Sequence, residues 1–226
     1  MILAAGRGER MRPLTDTTAK PLLKVGGKAL IDWHLDRLQA AGFQRVVVNH
    51  AWLGASVEAH LRGRRGPIEI VCSAESPALE TAGGIANALP LIDAPWFAVI
   101  NGDVFSDFDF VRLHTIALQM QAARLQSWSV LVANPDHHPK GDFSVRQGSL
   151  VHPVEGNTFT FSGIGLYHKS LFAPLTRAQP AKLAPLLRQA IDHNRAGAEV
   201  HWGCWHDVGT VERLQALDRW LHNSGL

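Results

Sequence analysis

Short apolar runs alternate with helical stretches through the first half of this chain. The runs at 2–5, 46–48, 68–72 and 97–100 each precede residues with helical or turn character. The clearest helix sets Leu30, Trp33, Leu38 and Ala41 on one face and is closed by Gly42. A buried run, a helix and another buried run predict parallel strands joined by right-handed crossovers. The expected fold class is α/β: a three-layer α/β/α, Rossmann-like sandwich with a mostly parallel, mixed central sheet. Further helices are predicted at 55–61, 83–89, 110–124, 183–195 and 211–222, and further strands near 129–132 and 199–204. From 134 to 167 the pattern changes to turns and short alternating strands, such as 158–161. That stretch is read as a mixed-sheet insertion inside a single domain covering 1–226.

Composition excludes several classes of function. With 46% hydrophobic and 19% charged residues the chain is neither disordered nor fibrous. Its 22 basic and 20 acidic side chains give no cationic excess to displace counterions, so nucleic acid is not an expected partner. No apolar run approaches the roughly 18 to 20 residues that cross a bilayer, and no membrane partner is expected. The start has no basic segment ahead of an apolar one, so it does not read as a signal peptide. Cys72 and Cys204 form no disulfide framework, which suits a reducing, cytoplasmic location.

In parallel sheets ligands bind at the carboxyl ends of strands, where Gly6, Gly83 and Asp103 all fall. Gly6-Arg7-Gly8-Glu9-Arg10-Met11 imitates a dinucleotide fingerprint but has Met11 at the third glycine, and Pro13 disturbs the helix that should follow. Gly26-Gly27-Lys28-Ala29 imitates the end of a P-loop but lacks its first glycine and its hydroxyl. What remains is a longer constellation: GRGERMRPLT from Gly6 to Thr15, then Ala19-Lys20-Pro21-Leu22-Leu23, then Gly27-Lys28. The glycines let backbone N–H groups approach an anion, and Arg10, Arg12 and Lys20 add fixed cations.

This ordered set resembles the signature of the sugar-1-phosphate nucleotidyltransferases, GxGxRxxPLT followed by PKPLxxxxGKP, with Ala19 and Ala29 where that family usually has proline. The resemblance implies the family's nucleotidyltransferase fold. It gives Arg10 and Lys20 catalytic roles on the phosphates, and the glycine loop, Gly6 and Gly8, a hold on the triphosphate. Leu79-Glu80-Thr81-Ala82-Gly83-Gly84 is similar to the nucleobase segment, with Glu80 where glycine is usual. Leu3, Ala5, Glu75, Glu80 and Gly83 are accordingly expected to contact the nucleotide. Asn101-Gly102-Asp103 and Trp205-His206-Asp207-Val208-Gly209-Thr210 match two further elements, implying Mg²⁺ held by Asp103 and Asp207. Ser162-Gly163-Ile164 resembles the segment against the sugar, and Asn101, Gly141, Asp142, Glu155, Ser162 and Gly163 are the expected sugar contacts. The lysine that commonly follows the glutamate at Glu155 is absent, and His137 and His138 read as exposed turn residues.

The implied reaction is attack of a sugar 1-phosphate on the α-phosphorus of a nucleoside triphosphate, releasing pyrophosphate. Within the family, the short length and the Gly141-Asp142-Phe143 turn look most like the members that join UTP to N-acetylmuramate 1-phosphate in peptidoglycan recycling. The lactyl carboxylate of that sugar calls for a cation that the sequence does not identify. A carboxylate at Glu75 suits the N3–H of uracil and equally the two donors of guanine, so guanylyl transfer to mannose 1-phosphate stays open, as does a glucose 1-phosphate substrate. A catalytically silent nucleotide-sugar sensor is the alternative of another class; the joint presence of Arg10, Lys20, Asp103 and Asp207 argues against it. Relatives that oligomerise often use C-terminal extensions, so a monomer is expected.

Overall fold

Successive side chains of the Val46-Val47-Val48 run face opposite sides, as the period of a strand requires. Val46 and Val48 join a core with Ile31, Leu35, Leu38 and Val57, whereas Val47 joins another with Ile85, Leu186 and Leu187. A strand apolar on both faces needs a helical layer on each, which is the three-layer arrangement expected.

The computed structural model describes residues 1–224. The first half of the chain contains β1 (Ile2–Leu3), α1 (Leu14–Thr17), β2 (Lys24–Val25), β3 (Lys28–Ala29), α2 (Leu30–Ala40), β4 (Arg45–His50), α3 (Gly54–Gly63), β5 (Glu69–Ala74), α4 (Glu80–Ala88), β6 (Trp96–Asn101) and β7 (Val104–Ser106). Then come α5 (Arg112–Ala122), β8 (Ser127–Val132), β9 (Ser144–Arg146), β10 (Ser149–Val151), β11 (Thr160–His168), α6 (Leu183–Asp192), β12 (Ala196–Val200), β13 (Trp205–Asp207) and α7 (Val211–Ser224).

The central sheet has nine strands in the order β5-β4-β1-β6-β11-β8-β12-β10-β9. β5, β4, β1 and β6 pair in parallel, as do β8 and β12, while β11 runs antiparallel to both its neighbours. The expected helices are present with shifted ends: α4 starts at Glu80, ahead of residue 83, and α6 stops at Asp192, ahead of 195. The strand expected near 199–204 is β12, ending at Val200.

The stretch 134–167 is not uniform. Its last part is β11, a nine-residue strand wedged between β6 and β8 in the middle of the sheet. Gly163 and Gly165 interrupt the apolar alternation there, so sequence period alone shows only the first residues of this strand. The excursion proper is the segment before it, carrying β9 and β10 at the sheet edge.

The look-alike of a P-loop is a hairpin turn. Gly26 and Gly27 have φ of 56° and 74° and join β2 to β3 in a two-residue loop. The hairpin is tied to α7 by the Gly26 N–H, which donates to Asp218 Oδ1 at 2.7 Å. Leu214, Leu217 and Leu221 of α7 form a third core with Met11, Leu23, Val25 and Val208. The last helix therefore anchors both the signature loop and the segment that carries Asp207.

Candidate active site

The carboxyl ends of β1, β4 and β6 open onto a cavity of about 250 Å³, lined among others by Leu3, Ala5, Gly6, Gly8, Lys20, Asn49, Glu75, Glu80, Asn101 and Asp103. A second, of about 370 Å³, is lined by Arg10, Asn101, Asp103, His137, His138, Ser162, Gly163, Trp205 and Asp207. A third, of about 280 Å³, is lined by Glu80, Thr81, Asn101, Asp142, Phe143, Phe161, Lys182 and Leu187. Asn101, the last residue of β6, lies on all three walls, so they are subsites of one cleft.

The signature loop sorts its own cations. Arg7 lies over the Trp52 ring at 3.7 Å and pairs with Glu9, while Arg12 donates to Asp16 at 2.8 Å. Those two brace the loop from outside. Arg10 and Lys20 are left facing the cleft. Lys20 Nζ donates to Asp103 Oδ2 at 2.5 Å, with only 11% of the lysine side chain exposed.

Asp103 and Asp207 are brought together by β7 and β13, which pair antiparallel with Asp207 opposite Val104. The Val208 N–H also donates to the Asp103 carbonyl at 2.8 Å. Asp207 Oδ2 accepts from Arg213 Nη1 at 2.7 Å and lies 3.3 Å from His137 Nε2. His137 is an exposed turn residue, as expected, and it also lines the cleft; His138 is half-buried, lines the cleft as well and pairs with Asp142.

Both aspartates offer hard oxygen donors to the same subsite. Two carboxylates are a donor set that suits an ion such as Mg²⁺, which takes one or two of them and fills its shell with phosphate oxygens and water. Behind Asp103, His34 on α2 is buried; burial foremost, with the Arg37 charge, lowers its pKa to about 4.

On the nucleotide side, Glu75 is buried with both oxygens engaged. Oε1 accepts from Asn49 Nδ2 at 2.6 Å and Oε2 from the Leu79 N–H at 2.8 Å. Asn49 Oδ1 in turn accepts from the Ala4 N–H at 2.8 Å. Asn49 thus ties the end of β4 to β1 and to Glu75. Asn49 was not among the expected site residues; a polar side chain directly after three valines is the signal that marks it. Glu80 begins α4 at φ 61°, a conformation costly to a side chain, which accounts for the glycine usual there.

Gly6 and Gly83 differ in kind. A Cβ on Gly6 would meet nothing within 4 Å, so the loop has open space there for a ligand. A Cβ on Gly83 would meet the Gln179 carbonyl oxygen at 2.4 Å, and the Gly83 N–H already donates to the Ala181 carbonyl. Gly83 is thus packed against the 179–181 backbone and lines none of the three cavities.

Of the expected sugar residues, Asn101 and Asp142 line the third cavity, and Ser162 and Gly163 the second. The Ser162 hydroxyl is spent on the Val130 carbonyl at 2.7 Å, so this serine offers the cleft backbone only. Gly141 lies behind Asp142, against Asn134 and Phe159. Glu155 sits on an exposed turn and lines none of these three cavities. Lys182 and Arg213 escaped the sequence reading because each stands alone beside a helix start, with no local pattern.

No described helix is long and apolar enough to cross a membrane. Residues 1–145 match the family model described as nucleotidyl transferase. The chain is 51% identical over 219 residues to an N-acetylmuramate alpha-1-phosphate uridylyltransferase from Neisseria meningitidis, covering 95% of this chain and 94% of that protein. It is 31% identical to the protein of the same description from Caulobacter vibrioides, covering 96% and 94%. Among solved structures, a chain described as a glucose-1-phosphate thymidylyltransferase from Bacillus anthracis superposes with a TM-score of 0.83 at 18% identity, covering 97% and 93%. At that identity the likeness speaks for the fold.

Proposed function

The chain belongs to the nucleotidyl transferase family as a sugar-1-phosphate nucleotidyltransferase, and from that premise we propose that it joins UTP to N-acetylmuramate 1-phosphate, giving UDP-N-acetylmuramate and pyrophosphate. The observation that carries the choice of substrates is the 51% identity, running nearly end to end, to a relative named for that reaction. We read 1–226 as one catalytic unit serving peptidoglycan recycling in the cytoplasm, in keeping with the free thiols of Cys72 and Cys204.

The uridine is assigned to the first cavity, where backbone at Leu3, Ala5 and Glu80 surrounds it and the Asn49–Glu75 pair sets the shape of the floor. Because both Glu75 oxygens already accept one bond, it serves the base through its remaining lone pairs. The triphosphate crosses the open space at Gly6 and Gly8 toward Asp103. The sugar takes the third cavity, its C–H faces against Phe143, Phe161 and Leu187 and its hydroxyls toward Asn101 and Asp142.

The sugar phosphate is already an anion, so no strong general base is needed to activate it. One of its oxygens forms a bond to the α-phosphorus of UTP as the bond from that phosphorus to the pyrophosphate oxygen breaks. Catalysis is then positioning and charge neutralisation. Lys20 and Arg10 counter the charge that builds on the transferring and leaving phosphates. Asp103 and Asp207 would hold Mg²⁺, which supplies Lewis-acid charge neutralisation when bound. Their pairing with Lys20 and Arg213 keeps both carboxylates from facing each other uncompensated.

The test is pyrophosphate release with Mg²⁺, crossing four nucleoside triphosphates against the 1-phosphates of N-acetylmuramate, N-acetylglucosamine, glucose and mannose. Release confined to UTP with N-acetylmuramate 1-phosphate is expected. Release with GTP and mannose 1-phosphate instead would overturn the substrate and keep the chemistry.

A further inference from the structure

The three cavities of the cleft carry few fixed cations. Lys20, in the first, is committed to Asp103, and Arg10 lines the second, which also holds Asp103 and Asp207. The third holds Lys182. Among the described residues Lys182 is in no ion pair, and it immediately precedes α6. Two acids line the same cavity. Asp142 has both oxygens engaged, Oδ1 with His138 Nε2 at 3.1 Å and Oδ2 with the Phe161 N–H at 2.9 Å. Glu80 lies on the border with the first cavity, since it lines both.

A sugar lying between Asn101 and the apolar faces of Phe143, Phe161 and Leu187 thus meets one uncommitted cation. N-acetylmuramate differs from N-acetylglucosamine by a lactyl ether that ends in a carboxylate. We infer that Lys182 is the specificity-determining residue of this cleft, its ammonium receiving the lactyl carboxylate of the acidic sugar. The inference rests on the substrate reading above and adds to it the residue that selects acidic over neutral sugars. A charge-assisted contact to an exposed lysine is worth a preference of up to about fivefold.

The experiment compares kcat/KM for N-acetylmuramate 1-phosphate and for its lactyl carboxamide, which keeps the shape and loses the charge. Both are measured with UTP in the native enzyme, Lys182→Met and Lys182→Arg. The native enzyme is expected to prefer the acid by up to about fivefold, carried mainly by KM. In Lys182→Met the preference should fall to near unity, and in Lys182→Arg most of it should return. Lys182 is exposed, and matching thermal midpoints for the three proteins exclude a folding effect. A preference that persists in Lys182→Met, or one absent from the native enzyme, overturns the inference while the substrate reading stands. A native enzyme that ignores both compounds and turns over another sugar 1-phosphate overturns the substrate reading itself, and the inference with it.

Discussion

Lys20 and Asp103 are 83 positions apart in sequence and meet at 2.5 Å in the cleft, the lysine reaching from the signature loop to the turn after β6. In the free protein the ammonium balances the carboxylate. With substrates bound, the same ammonium lies in the first subsite beside Asp103, which borders the second. Lys20→Ala should lower kcat by about 10² to 10³, the range seen when one transition-state donor is lost. The KM for the sugar phosphate should change far less. Asp103→Asn should keep the thermal midpoint and lose Mg²⁺-dependent turnover. Near-normal turnover in Asp103→Asn would remove this residue from the metal site.

Gly6 and Gly83 make a paired test of where the nucleotide lies. Gly6→Ala should leave stability unchanged, since the new methyl meets nothing, and weaken UTP binding because it fills the ligand's space. Gly83→Ala drives a methyl into the Gln179 carbonyl and should cost about 1 to 3 kcal/mol of stability by overpacking. Urea midpoints and UTP titrations of the two variants give opposite patterns if the placement holds. A Gly6→Ala protein that binds UTP normally would contradict it.

Arg213 competes with any cation for Asp207, which it contacts at 2.7 Å. The pair is partly exposed and is worth about 0.2 to 1 kcal/mol after screening. Arg213→Gln should therefore lower the Mg²⁺ concentration for half-maximal rate by up to about fivefold. An unchanged or raised requirement would mean that Arg213 helps assemble the site and does not shield it.

His34 gives the fold an acid limb. Its folded pKa of about 4 lies below the ordinary 6.5, so the unfolded chain binds the extra proton between those values. Stability from keeping His34 neutral is fully present above pH 6.5 and is lost as pH falls through the window toward 4. The loss is at most about 3 kcal/mol. Denaturant midpoints from pH 7.5 to 4 should fall more steeply in the native protein than in His34→Leu. Parallel curves would show that other groups govern acid unfolding.

The residues of this chain determine by themselves whatever local physics can encode. Apolar runs with period two and helices closed by residues such as Gly42 announce the layers. The glycine–cation loop, Asn101-Gly102-Asp103 and the segment ending in Thr210 announce phosphate chemistry, because their residue types and spacing are needed wherever they fold. Tertiary structure decided which of these groups meet. Asp103 and Asp207 share a subsite because β7 pairs with β13. Thr160–His168 lies in the sheet centre because β6 and β8 satisfy both its hydrogen-bonding edges. Gly6 is open in the loop after β1, whereas Gly83 is filled inside α4. His137 faces Asp207, and Lys182 lines the third cavity, for the same reason. A side chain's neighbours across the fold depend on strand pairing and on what remains of the volume, and neither is written in the residues next to it.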